Sequence, residues 1–504
     1  MPKKLLLEIA MELLSFALTN TNEYIEQMPK ALRKKYGQFF TSRETAIFMA
    51  GLFTVPAGRS DLTILDAGAG SGVLSIALIE RLQADPQIKS IRLICYETDP
   101  HIIDLLKSNL DYACQNAAIP VIYDLREVNY ILSQKDAYNA AGTTTGSEKF
   151  DMVIGNPPYM KISKDAPEAV AMPDVCYGAP NLYFLFAEMG VFNLSDNGEM
   201  VYIIPRSWTS GAYFKKFRQK FLSECCLSHI HLFVSRDKVF ENESVLQETM
   251  IIKVQKTCCT PENITITTSQ NNKDFQNMTV FTAPYKTVVS GEDCYVFLVT
   301  NEQEVNTLNQ LNGWQDTLPS IGLKMKTGLT VDFRNKDALR DREEALAVPL
   351  FYSQHIQNGK VSFPIGKENE FIVTSQAGLL QKNANYLFVK RFTAKEEPRR
   401  LQCGVYLARK FPAYKQISTQ NKVNFISGLQ ELSECIVYGL FVLFNSTLYD
   451  GYYRILNGST QVNSSEVNSM PVPPLSTIEA MGKELIRLKD MSVQTCDQIL
   501  GSYL

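Results

Sequence analysis

The stretch Ile64-Leu65-Asp66-Ala67-Gly68-Ala69-Gly70-Ser71-Gly72 closes an apolar run and leads, through glycines at 68, 70 and 72, straight into a helical pattern over 73–82. Glycine lets a backbone turn sharply and approach a ligand closely, so a strand, a tight turn and a helix N-terminus are predicted in that order. Outward from this point, short apolar runs at 62–65, 91–96 and 150–154 alternate with helical periodicities such as 102–110. That alternation is a βαβ signature and implies an α/β fold with a parallel, doubly wound, Rossmann-like sheet. It continues through 182–192, 200–204 and an amphipathic helix near 213–222, and 248–254 reads as the last strand. The segment 257–277, rich in Thr, Asn, Gln and Lys, breaks the pattern and is expected to be a linker. The organisation predicted is an amphipathic helix over 1–30, a ligand-binding catalytic domain over 31–256, the linker, and a mixed α+β domain over 278–504. Lys3 and Lys4 precede an apolar stretch as in a signal peptide, but Glu8 and Glu12 interrupt it at helical spacing.

At 504 residues the chain exceeds what one hydrophobic core usually serves, in keeping with two domains. A net charge of -3 gives no global attraction to polyanions, so nucleic-acid contact has to come from basic residues gathered on one face. The 11 Cys include the pairs Cys225-Cys226 and Cys258-Cys259 but no CxxC, and with 4 His no metal site is expected. Free thiols fit a reducing cytoplasm. No run of 18 apolar residues occurs, so no membrane span is expected.

By itself the glycine turn fits a tight structural turn or a dinucleotide site equally well. About thirty residues on, Cys95-Tyr96-Glu97-Thr98-Asp99-Pro100 ends the next strand with a carboxylate, which can accept both hydrogen bonds of a ribose diol. The loop also reads DxGxGxG, with an acid at its start and no Walker lysine. Asp66 would repel a phosphate but can contact a cationic or amino-bearing ligand, and S-adenosylmethionine carries such groups.

The second feature is Phe150-Asp151-Met152-Val153-Ile154 running directly into Gly155-Asn156-Pro157-Pro158-Tyr159, a rigid polar loop at the carboxyl end of a strand, where α/β sheets collect ligands. An exocyclic amino group on adenine is a poor nucleophile because its lone pair is delocalised into the ring, so catalysis has to localise that pair by hydrogen bonding. The Asn156 side-chain carbonyl and the Pro157 carbonyl can both accept. Pro157 and Pro158 stiffen the frame, and Tyr159 offers a flat face for stacking, typically worth ~1–3 kcal/mol per base. Alone the string Asn-Pro-Pro-Tyr reads as well as an ordinary turn; its place after the strand and downstream of the glycine loop favours the catalytic reading.

On these motifs the sequence resembles the NPPY amino-methyltransferases, and among them the DNA adenine-N6 methyltransferases that place the cofactor motifs first and a target-recognition domain last. The resemblance extends over nearly the whole chain. It implies that Gly37-Gln38-Phe39-Phe40-Thr41 meets the methionine portion of the cofactor, with Phe40 and Thr41 as contacts. Asp66 and Gly68 then lie at the methionine end, Glu97 at the ribose and Thr98 at the adenine, with Gly70 also a cofactor contact. An Asp-Phe pair of the family holds the cofactor adenine; Asn129-Tyr130 is the match here, with Asn129 accepting from the amino group. In TaqI-type enzymes an aromatic covers the other face of the flipped base, but Val254 stands at that place and the partner stays unassigned; Phe240 is a candidate, although a core aromatic is the more common reading.

In the carboxyl half, Lys390, Arg391, Arg399 and Arg400 form a basic stretch that pairs with phosphates in one reading and with neighbouring acids in another. This stretch, 327–331 and 457–463 resemble type II restriction-modification methylases of the PstI and BsuBI kind, which implies double-stranded DNA as partner, a CTGCAG-like palindrome as site and any cognate restriction endonuclease as a separate chain. The helix near 213–222 sets Lys215, Lys216, Arg218 and Lys220 opposite its aromatics, as a solvated face or a contact to the DNA backbone. Three rivals stay open: cytosine-N4 methylation, although that group usually has Ser where Asn156 stands; methylation of RNA or a protein glutamine, whose enzymes lack so long a segment after the catalytic domain; and a non-catalytic DNA-binding subunit, against which the intact Asn156-Pro157-Pro158-Tyr159 argues.

Overall fold

In a computed structural model, residues 3–27, 41–140, 147–233, 249–257, 259–394, 397–456 and 460–504 are described, with side chains from residue 13 onward. The chain opens with helices α1 (Lys3–Gln27) and α2 (Arg43–Gly51), then alternates: β1 (Asp61–Ala67), α3 (Val73–Gln83), β2 (Ser90–Tyr96), α4 (Pro100–Asn116), β3 (Val121–Arg126), α5 (Tyr130–Asn139) and β4 (Phe150–Gly155). It continues with α6 (Pro167–Ala171), α7 (Leu182–Asn193), β5 (Leu194–Pro205), α8 (Lys215–Glu224), β6 (Cys226–Phe233), β7 (Thr249–Gln255), β8 (Asn263–Ser269) and β9 (Thr279–Pro284). Helix starts follow local capping chemistry: Asp99 accepts from the His101 N–H with Pro100 at the first helical position, and Asn129 and Asn181 cap α5 and α7.

These strands form one sheet in the order β3-β2-β1-β4-β5-β7-β6-β8-β9. The five from β3 to β5 are parallel, and β7 runs antiparallel between β5 and β6. β4 is buried throughout, and β1 and β2 along their carboxyl halves, as a parallel sheet covered on both faces requires. The strand order reverses between β1 and β4, which are paired at Leu65 and Val153. Their carboxyl ends therefore share the crevice where such sheets bind ligands. Helix α1 adds Leu13, Leu14 and Ala17 to the core, and the Leu14 N–H donates to Glu80 Oε1 at 2.6 Å.

The division into units differs from the predicted linker. One unit comprises Met1–Thr209 with Tyr213–Thr300, the other Ser210–Ala212 with Asn301–Leu504. Within 257–277, β8 pairs parallel with β6 and antiparallel with β9, with Ile264 and Ile266 buried. Threonine is β-branched and suits a pleated surface, so a Thr-rich stretch that looks polar by composition still enters the sheet. The second unit is mixed α+β: a six-stranded and a five-stranded sheet around Phe351, Phe388, Tyr406 and Phe425, followed by helices that include Glu434–Asn445 and Leu475–Leu488. Among the described residues no helix is long and apolar enough to cross a membrane, and no group of three His, Cys, Asp or Glu gathers as for a metal.

Candidate active site

At the carboxyl ends of β1 and β4 lies a cavity of about 390 Å³, lined by Thr41, Gly68, Gly70, Glu97, Thr98, Asn129, Tyr130, Asn156 and Pro158 among others. Its volume falls in the range of small-molecule and cofactor sites. The glycine turn shapes one wall. Gly68 and Gly70 have φ of +84° and +57°, conformations an L side chain rarely adopts. A Cβ at Gly68 would meet Phe186 Cε1 at 3.6 Å and Pro158 Cδ at 4.0 Å, so the glycine turn and the Asn-Pro-Pro-Tyr loop pack against each other here. A Cβ at Gly70 would meet nothing within 4 Å, which leaves backbone open to a ligand.

Glu97 is held by the turn it faces. Oε2 accepts from the Gly70 N–H at 2.9 Å, and Oε1 from the N–H groups of Thr98 at 2.7 Å and Asp99 at 2.9 Å. A carboxylate has about four acceptor positions, so a diol taking two of them has to share with at least one of these donors. Asp66 is 1% exposed and is not among the residues lining the cavity. Its Oδ2 accepts from Ser75 Oγ at 2.6 Å, while Oδ1 has no hydrogen-bond partner among the described residues. Burial pushes this carboxyl up to about 7, with the Ser75 bond opposing and the Glu97 charge adding. The expected contact between Asp66 and a cationic ligand is thus replaced by a position beneath the wall.

On the other side, Asn156 donates from Nδ2 to Thr41 Oγ1 at 3.4 Å, and its Oδ1 accepts from the Tyr159 hydroxyl at 2.8 Å. The same hydroxyl lies 2.9 Å from the Ile203 carbonyl. Tyr159 is 7% exposed, its ring edge-on to Tyr183 at 6.4 Å between centroids. The ring expected as an open stacking face is therefore largely covered, and the hydroxyl is what meets Asn156. Pro157 is buried.

Tyr130 lines the cavity with its hydroxyl donating to Asn193 Oδ1 at 2.7 Å and its ring against Tyr96 and Phe186. Asn129 also lines it, but its Oδ1 accepts from the Leu132 N–H and its Nδ2 donates to Glu168. The oxygen expected to accept from a ligand amino group is thus bound to the helix. Sequence reading missed Phe186, Met160 and Glu168, all of which line the cavity. Phe186 sits on a helix buried nearly all round, which has no face to single it out. Phe40 and Phe240 lie outside the described residues, and Val254 is fully buried in β7.

The basic residues differ most from expectation. Arg400 is 1% exposed, its Nε donating to Thr393 Oγ1 at 3.2 Å and its guanidinium 5.6 Å from the Tyr453 ring centroid. Arg399 donates from Nη2 to the carbonyls of Phe444 and Ser446 at 3.2 and 2.9 Å, closing the carboxyl end of the helix Glu434–Asn445. The buried guanidinium and the helix-terminal clamp both serve the fold. Lys390 and Arg391 are half-buried, donating to Gln402 Oε1 at 2.9 Å and to the Asn421 carbonyl at 3.0 Å. On α8, Arg218 is fully buried on the carbonyls of Asp293 and Trp208, and Lys215 pairs with Asp293 at 2.5 Å, so the expected cationic face is largely committed within its own unit.

Residues 82–240 match the family model described as Eco57I restriction-modification methylase. Over 474 residues the chain is 33% identical to the type II methyltransferase M.PstI of Providencia stuartii, covering 91% of each. Over 463 residues it is 33% identical to the type II methyltransferase M.BsuBI of Bacillus subtilis, covering 90% of this chain and 91% of that one. Among solved structures, the type IIL restriction-modification enzyme MmeI in complex with DNA is similar in fold, with a TM-score of 0.50 at 11% identity over 93% of this chain and 72% of that one.

Proposed function

Because the chain belongs to the type II restriction-modification methyltransferases, we propose that it methylates the N6 amino group of adenine within a short site in double-stranded DNA. S-adenosylmethionine is the cofactor, and when bound it supplies an electrophilic sulfonium methyl group. The cavity suits it: Gly70 leaves open backbone, and Thr41, Glu97, Thr98 and Tyr130 surround the space. Asp66 ties the end of β1 to helix α3 through Ser75.

The observation that carries the reading is Asn156 beside this cavity, its amide held between Thr41 and Tyr159. An amide oxygen fixed in place accepts a hydrogen bond from an aromatic amino group and localises the lone pair that delocalisation withholds. The Pro157 carbonyl accepts the second hydrogen, and the two prolines keep both acceptors aligned without reorganisation. The base has to leave the duplex to reach them, at a cost of a few kcal/mol. The near full-length match to proteins named methyltransferases supports a cognate nuclease on a separate chain, and free thiols support a cytoplasmic setting. The site is proposed to be CTGCAG-like.

Incubation with duplex DNA and methyl-tritiated S-adenosylmethionine, followed by nucleoside analysis, should place the label in N6-methyldeoxyadenosine. Label in N4-methyldeoxycytidine, in RNA or in protein would overturn the adenine assignment.

A further inference from the structure

One carboxylate of the cavity is announced by no motif. Glu168, on α6, lines the same cavity as Asn129, Thr98 and Ile102, and its Oε1 accepts from Asn129 Nδ2 at 2.8 Å. Asn129 is also the N-cap of α5, with Oδ1 accepting from the Leu132 N–H at 3.1 Å. The two bonds fix the amide: reversing it would turn the NH2 group against an N–H donor and the oxygen against a carboxylate. Asn129 thus turns its oxygen to the helix and its NH2 group to the Glu168 carboxylate. Its Nδ2 carries two hydrogens, of which Glu168 takes one, and the carboxylate has several lone pairs, of which Asn129 takes one. A donor next to an acceptor complements the edge of adenine that presents the acceptor N1 beside the donor amino group. Ile102, Val128 and Tyr130 add apolar surface for the faces of a planar ring.

We infer that Asn129 and Glu168 act as a pair that reads the adenine ring of the cofactor, Asn129 Nδ2 donating to N1 and the Glu168 carboxylate accepting from the amino group. This rests on the proposal that the cavity holds S-adenosylmethionine. Glu168 is then a specificity determinant for the cofactor base, and a carboxylate acceptor comes to it from a different helix.

The test is calorimetric titration of the full chain with S-adenosylhomocysteine and with S-inosylhomocysteine, whose N1–H and O6 present the reverse pattern. The wild type should prefer the adenosyl compound by about tenfold or more, as for loss of a hydrogen bond to a charged group. Glu168→Gln can rotate its amide to donate to O6, so adenosyl affinity should fall and the preference narrow to within about threefold. Asn129→Ser keeps a good N-cap while removing the amide NH2 group and shortening the side chain, and should narrow the preference in the same way. A wild-type preference retained in both variants overturns the pair while leaving the cavity assignment standing. Equal weakening of both compounds, with their ratio unchanged, marks the contact as structural and likewise overturns it. Failure of the wild type to bind either compound overturns the inference together with the cavity assignment.

Discussion

Replacing Tyr159 by Phe removes one oxygen and keeps the ring. In the structure that oxygen lies 2.8 Å from Asn156 Oδ1 and 2.9 Å from the Ile203 carbonyl, in a residue 7% exposed. Losing a buried neutral hydrogen bond costs about 0.5–1.5 kcal/mol, and leaving an acceptor without its donor raises this to about 1–2 kcal/mol. If the hydroxyl serves to hold the catalytic amide, that energy is expressed in the transition state, and kcat falls about five- to thirtyfold. The ring is intact, so KM for DNA should stay within about twofold, and cofactor affinity should be unchanged. Steady-state methyl transfer with tritiated S-adenosylmethionine, at a temperature where melting curves show the variant folded, separates kcat from KM. A wild-type kcat would refute the positioning role. A loss confined to KM for DNA would show that the hydroxyl serves substrate binding rather than the transition state.

Asp66→Asn should change the pH dependence of stability. The folded Asp66 carboxyl, pushed up to about 7, keeps a proton that the unfolded carboxyl, at the ordinary value of 3.8, has lost, so its contribution weakens folding as pH rises from about 4 through about 7. Glu80, raised to about 7, acts with the same sign in both proteins, so the difference isolates Asp66. Relative to wild type, the variant should gain about 1–4 kcal/mol in urea unfolding between pH 5 and pH 8; parallel pH profiles would contradict this. Arg399→Ala should lower stability by about 1.5–3 kcal/mol through the lost clamp on the helix Glu434–Asn445, with DNA affinity little changed. A weakened, less salt-dependent DNA affinity at unchanged melting temperature would restore Arg399 as a phosphate contact.

The parts of the fold legible in the sequence are those that local chemistry dictates. The glycines after Asp66 and the Asn-Pro-Pro-Tyr string after β4 announce their turns because few other residues fit them. The βαβ alternation then brings them to neighbouring strand ends, where the cavity is found. Burial and partner choice, by contrast, are decided at long range. Arg399 and Arg400 read as surface cations because the helix end and the Tyr453 ring that engage them lie some fifty residues on. Glu168 lies 39 positions from the Asn129 it contacts and on a five-residue helix with no periodicity to read. Composition misled at 263–269, where alternation of buried Ile with Thr was a strand signal under a polar average.

A map of modified bases tests adenine methylation by this chain most directly. The chain and its Asn156→Ala variant would be expressed in a bacterial host lacking adenine methylation, and N6-methyladenine located across the genome at single-base resolution. N6-methyladenine at one short motif, present with the wild type and absent with the variant, is the predicted result. No modified adenine from a folded protein that binds S-adenosylmethionine, or undiminished methylation by the Asn156→Ala variant, would contradict it.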